Sequence, residues 1–243
     1  MVSNTLISHF QKAKKDSSLA IIEGVQALKH AVRFGAEIEK IVTCDIERLT
    51  ELIHELAPDV SQTVLDAAEV VDSSTFEQLS PRPIRTRTIV LAKRKVYSLS
   101  DIKSNRPIVA LEDPKDLDNV GAVVRVASAA NAAAVITIGN VDVWHPLAIR
   151  GGAGLQFATP VFSFTQFDLH SLTRHIVAMD PEGFDIKTCS LPENSIFVFG
   201  TERHGITQKM LDDTDTKLRL SMKSGVSSMN LATSVAATLY SLK

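Results

Sequence analysis

From Pro107 onward the sequence repeats one pattern: a short, mostly apolar run, a polar loop, then a stretch with helical spacing. The runs are Ile108–Leu111, Ala134–Gly139, Pro160–Phe164, His175–Met179, Ser195–Gly200 and Lys217–Ser221. A strand with one wet face alternates apolar and polar residues, whereas a continuous apolar run belongs to a strand buried on both faces. Such strands separated by helices predict an α/β fold with a mostly parallel sheet. Helices are expected from about Val120 to Asn131, behind the acid-rich loop EDPKDLDN, and over Asn230–Leu242. Ligands of open parallel sheets bind beyond the C-terminal ends of the strands. The loops after Leu111, Gly139, Gly200 and Ser221 are therefore the places to search.

The front of the chain alternates on a smaller scale. Leu19–Ile22 reads as a strand, and Glu23–Phe34 as a helix with Val25, Leu28, Ala31 and Val32 on one face and Gly35 as its stop. Ile38–Cys44 reads as a strand, Ile46–Leu56 as a helix, Val60–Leu65 as a strand, a short helix follows Ser73 and Ser74, and Thr88–Ala92 is a last strand. Lys95–Arg106 is polar and lacks periodicity. The expected layout is a small α/β domain over 1–95, a linker over 96–106 and a larger domain over 107–243.

Hydrophobic residues at 44% and charged residues at 22% exclude a disordered tail, a coiled coil and a collagen-like chain. No apolar run approaches the ~18 residues of a membrane span. The opening segment has no long apolar stretch after its charges, so no secretory signal is expected. Cys44 and Cys189 form no CxxC pair, and two reduced thiols in a cytosolic protein are expected. A net charge of -2 excludes a chain that is basic throughout. Yet Gln78–Ser100 contains no acid and carries Arg82, Arg85, Arg87, Lys93, Arg94 and Lys95; Lys12, Lys14 and Lys15 form a second cluster. These residues suit either a solvated loop and edge strand or contact with a polyanion such as RNA.

Neither GxGxxG nor GxxxxGK[ST] follows a strand. The run Gly151, Gly152, Gly154 reads as close helix packing. The seven histidines show no zinc-ligand spacing, and His204 reads as a solvated or orienting residue. Three segments stand out. In the first, Asn119-Val-Gly-Ala-Val-Val-Arg125-Val-Ala127, Asn119 is placed as a helix N-cap. Arg125 shares a face with Gly121, Ala122, Ser128 and Ala129, which suits either an anion site or an ordinary surface ion pair. In the second, Phe197-Val-Phe-Gly200-Thr-Glu202-Arg-His-Gly205, a strand runs into glycine, a carboxylate and a second glycine. In the third, Leu220-Ser-Met222-Lys-Ser-Gly-Val-Ser-Ser228-Met229-Asn230, a small polar loop precedes a helix rich in Ala, Ser and Thr.

In that order, NxGxxxRxA, GxExxG and MxxxxxSxN resemble the three motifs of the SpoU/TrmH family, S-adenosylmethionine-dependent RNA ribose methyltransferases of the SPOUT superfamily. The likeness covers 107–243, and Ile22-Glu23-Gly24-Val25 resembles the RNA-binding domain that precedes many members. Thr201, Ser221, Ser224 and Met229 depart from the residues usual in the family. The resemblance implies a C-terminal trefoil knot and a homodimer. It implies catalytic or substrate roles for Asn119, Arg125, Glu202, Ser228 and Asn230, and cofactor contacts from Gly200, Leu220, Met222 and Met229.

The implied reaction is in-line methyl transfer to a ribose 2′-hydroxyl. The protein must position the hydroxyl and help remove its proton. The resemblance implies that Arg125 assists the deprotonation; since a guanidinium stays protonated, the alternative is that it holds the neighbouring phosphate and stabilises the developing alkoxide. The separate front domain favours ribosomal RNA over transfer RNA. A non-catalytic RNA-binding protein of this fold, or a methyltransferase for another acceptor, is the competing reading.

Overall fold

The computed structural model describes residues 2–103, 105–201 and 204–242. In chain order the first part runs α1 (Val2–Ala13), β1 (Leu19–Glu23), α2 (Val25–Arg33), β2 (Ile38–Thr43), α3 (Ile46–Leu56), α4 (Ser61–Asp66), β3 (Ala68–Val70), α5 (Ser73–Glu77) and β4 (Thr88–Lys93). The second runs β5 (Ile108–Glu112), α6 (Leu117–Ala129), β6 (Ala134–Ile138), α7 (Pro146–Gly151), β7 (Val161–Phe164), β8 (Ile176–Asp185), β9 (Ile196–Phe199), α8 (Gln208–Asp212), β10 (Thr216–Arg219) and α9 (Leu231–Ser241). By its internal contacts the chain divides into two units: residues up to Val96 with Trp144–Ala158, and Tyr97–Val143 with Thr159 onward.

The first unit holds a four-stranded sheet in the order β1-β4-β2-β3. Strand β4 is antiparallel to both β1 and β2, so it is central and not the edge strand that the basic sequence suggested. Helix α1, which the reading above passed over, buries Leu6, Phe10 and Ala13 against Phe76, Leu79, Ile89 and Leu91. The run Val60–Leu65 is not a strand. Val60 precedes helix α4, where Ser61 Oγ donates to the Pro58 carbonyl and Gln62 pairs with Asp66 one turn on. A short apolar run has no periodicity that separates the two states.

The unit's other segment, Trp144–Ala158, was expected in the larger domain. It packs instead on the front: Gly154 sits so close to α2 that a Cβ would lie 2.4 Å from the Ala27 carbonyl oxygen. His30 Nδ1 lies 2.7 Å from the Ala153 carbonyl oxygen, and Trp144 meets Phe157 edge-on at 5.0 Å. Gly152 and Gly154 thus serve close packing, as their spacing suggested.

The second unit is a six-stranded sheet, β10-β8-β9-β5-β6-β7, in which every pairing is parallel. Ile108, Ala110, Ile136, Ile176, Ala178, Ile196 and Val198 form the centre of one core layer. Tyr97 and Ile102 pack on it, and Arg174 donates to the carbonyls of Lys103 and Arg106 at 2.8 and 2.7 Å. Residues 97–106 therefore belong to this unit and are not a free linker. Among the described residues no helix is long and apolar enough to cross a membrane.

Candidate active site

Strand β9 delivers Gly200 to the C-terminal edge of the sheet. A Cβ there would lie 2.0 Å from the Gly205 carbonyl carbon, so only glycine fits. Thr201 and Gly205 exchange two backbone hydrogen bonds, 3.1 and 3.0 Å, closing a tight turn that Gly205 enters at φ +67. Glu202, placed in this turn by its motif, lies outside the described residues. The far side of the turn is anchored on β5: Glu112 accepts from the Thr207 N–H and hydroxyl at 2.8 and 2.6 Å.

Strand β10 delivers Arg219 and Leu220, and the exposed loop to Asn230 follows. Ser221 stands where the family usually has proline. Its hydroxyl donates to Asp185 Oδ2 at 2.5 Å, which tethers the start of the loop to the end of β8. That bond and the Lys187 N–H hold the Asp185 carboxyl below the usual carboxylate range. Asn230 ends the loop by accepting from the Thr233 N–H at 3.3 Å as the N-cap of α9.

These two loops and β8 enclose a cavity of about 350 Å³, within the range of small-molecule sites. Gly200, Leu220, Met222, Ser228 and Met229 all line it, so five residues singled out from sequence meet in one place. Met179, Asp180 and Pro181 of β8 line it as well. The sequence reading ended that strand at Met179 and missed them; the Asp-Pro-Glu-Gly turn signature was the available signal.

Asn119 is not the N-cap of α6. Asp116 caps it, accepting from the N–H groups of Asp118 and Asn119 at 2.8 and 3.1 Å. The Asn119 side chain is thereby released to accept from Asn230 Nδ2 at 3.1 Å, which joins the first motif to the third. Arg125, two turns further on, is exposed and has no ion-pair or hydrogen-bond partner among the described residues. It does not line the cavity.

The profile of the SpoU rRNA Methylase family matches residues 106–240. The chain belongs to that family. The match covers most of the second unit and also runs through Trp144–Ala158, which packs in the first. Among similar proteins, the 23S rRNA (adenosine(1067)-2′-O)-methyltransferase of Streptomyces azureus is 22% identical over 97% of this chain and 90% of its own. The 23S rRNA (guanosine(2553)-2′-O)-methyltransferase RlmP of Bacillus subtilis is 21% identical over 97% and 92%. The fold matches the SpoU methyltransferase AviRb from Streptomyces viridochromogenes, crystallised with the cofactor AdoMet, at TM-score 0.78 and 17% identity over 96% of each chain.

The basic residues of the front unit do not form one patch. Arg82, Arg85 and Arg87 are exposed in the turn before β4, whereas Lys93, Arg94 and Lys95 lie at its other end, about 17 Å away at about 3.4 Å per residue. The second group is engaged within its own unit: Lys93 pairs with Glu37, Arg94 Nε donates to the Leu19 carbonyl at 2.8 Å, and Lys95 Nζ to the Phe157 carbonyl at 2.9 Å.

Proposed function

We propose that this SpoU-family protein methylates a ribose 2′-hydroxyl of ribosomal RNA in the cytoplasm, with S-adenosylmethionine as methyl donor. The observation that carries the reading is the cavity itself, where residues of the second and third motifs converge, with the Asn119–Asn230 bond tying in the first. Its lining suits the donor: apolar Leu220, Met222 and Met229 beside hydroxyls of Thr201 and Ser228, around a glycine that leaves bare backbone. Bound S-adenosylmethionine supplies an electrophilic methyl. Gly200, Leu220, Met222 and Met229 would hold it.

The chain supplies position and charge. Arg125, exposed and unpartnered among the described residues, is set to hold an RNA phosphate and the 2′-oxygen through its planar fork of donors. Asn119, Asn230 and Ser228 orient that substrate, and Glu202 is assigned the same task from its motif. Two relatives matched along nearly their whole length are named for 23S rRNA 2′-O-methylation, which supports ribosomal RNA as the substrate class. The first unit serves as the RNA-binding domain, with Arg82, Arg85 and Arg87 as its phosphate contacts and Lys93, Arg94 and Lys95 as lesser ones.

The reading includes a trefoil knot in the last segment and a homodimer. In support of the knot, the chain leaves β10 at the sheet edge and returns as α9 to pack on α6. In support of the dimer, Phe184 and Tyr240 are 72% and 68% exposed. The test is methyl transfer from labelled donor to ribosomal RNA, followed by mapping: a 2′-O-methyl blocks cleavage at its own linkage. Label on a base would refute the assignment.

A further inference from the structure

Between Ala178 and Phe184, strand β8 leaves its ladder with β10. Ala178 pairs with Lys217 and Phe184 with Leu218, so residues 179–183 have no counterpart on the neighbouring strand. The sequence Asp180-Pro-Glu-Gly183 has the residues of a type I turn, acid first, proline second, glycine last. The Glu182 N–H donates to Asp180 Oδ1 at 2.8 Å, and Arg219 Nη1 donates to the Gly183 carbonyl at 2.5 Å. A Cβ at Gly183 would lie 2.5 Å from the Leu218 nitrogen, so the bulge closes only over glycine. Bulges beside active sites re-aim side chains. This one brings Asp180 to the cavity wall, where Oδ2 has no hydrogen-bond partner among the described residues.

Resting on the function proposed above, we infer that Asp180 recognises the ribose hydroxyls of the cofactor. The strand order makes the assignment. Apolar Leu220, Met222 and Met229 follow β10 and suit the adenine; Asn119 and Arg125 follow β5, where the methyl is delivered. Strand β8 lies between β10 and β5, and in the cofactor the ribose lies between adenine and sulfonium. An ionised carboxylate makes strong hydrogen bonds to hydroxyl donors, and an acid at a strand end holds the ribose in dinucleotide-binding sheets.

The test is calorimetric titration of the full chain with S-adenosylhomocysteine and its 2′-deoxy and 3′-deoxy analogues. Wild-type protein should lose about tenfold or more in affinity on removal of a recognised hydroxyl. Asp180→Ala should bind S-adenosylhomocysteine correspondingly more weakly and no longer distinguish the analogues. Asp180→Asn keeps the Oδ1 acceptor for the Glu182 N–H, so it preserves the bulge if the alanine variant misfolds, and it should lose most of the same discrimination. Unchanged affinity in Asp180→Asn, or discrimination that persists in it, would overturn the assignment. Weaker S-adenosylhomocysteine binding with unchanged 5′-methylthioadenosine binding would overturn it too, by moving the contact to the amino-acid moiety. Absence of any wild-type binding would instead sink the proposed function, and this inference with it.

Discussion

Asn230 Nδ2 donates to Asn119 Oδ1 at 3.1 Å across 111 positions of sequence, while Asn230 Oδ1 caps α9. One side chain thus fixes a helix start and spans two motifs. The two duties separate by mutation. Asn230→Asp keeps the capping oxygen but loses the donor to Asn119, so it should retain its melting temperature while methyl transfer falls. Asn230→Ala loses both, and should also lose roughly 1 kcal/mol of stability. Equal melting temperatures for the two variants would refute the capping role.

Gly200→Val should abolish cofactor binding, because its Cβ must displace the Gly205 backbone. Thermal shift measures this: ligand at ~100 times its dissociation constant adds about 2.7 kcal/mol of stability to the native chain. The variant should show no shift with S-adenosylhomocysteine while its far-ultraviolet circular dichroism stays native.

The Ser221–Asp185 tether makes the start of the 220–230 loop sensitive to acid. Asp185 is held below its ordinary value chiefly by the Ser221 hydroxyl. A carboxylate depressed in the fold stabilises it above the unfolded value, and that contribution is lost as pH falls through the folded value. Carboxyl-carbon NMR titration should show Asp185 moving upward toward 3.8 in Ser221→Ala. Ser221→Pro, which restores the usual family residue, should raise Asp185 likewise while cofactor affinity is kept.

Reversing Arg82, Arg85 and Arg87 together to Glu should weaken RNA binding and flatten its salt dependence, by about 2 to 3 units in the log–log slope for three lost phosphate contacts. The same reversal at Lys93, Arg94 and Lys95 should chiefly lower stability, since these residues bond to Glu37, Leu19 and Phe157. Filter binding across a salt series separates the two.

The parallel sheet was legible because Ile108–Leu111, Ala134–Ile136 and Ile196–Phe199 are buried on both faces and so apolar without alternation. The cavity was legible because glycine and small polar residues follow those strands. Helix α1 was not: its buried Leu6, Phe10 and Ala13 are diluted among polar residues. The placement of Trp144–Ala158 depends on tertiary contacts of Gly154 and His30 that no local pattern reports. The residues Asp180-Pro-Glu-Gly183 signal a turn, but that they form a bulge within a continuing strand depends on the pairing register of the neighbouring strand. Asn119 was misplaced as a cap because Asp116 offers the same chemistry three residues earlier.

The central claim, methyl transfer to a ribose organised by Arg125, is tested most directly by one assay run on two proteins. Ribosomal RNA is incubated with labelled S-adenosylmethionine and wild-type chain or Arg125→Lys, then hydrolysed with alkali. The account predicts label in alkali-resistant dinucleotides for the wild type. For Arg125→Lys it predicts a rate lower by at least about 10²-fold at unchanged cofactor affinity, because a point charge cannot replace the planar fork. Label in free bases, or near wild-type turnover for Arg125→Lys, would contradict it.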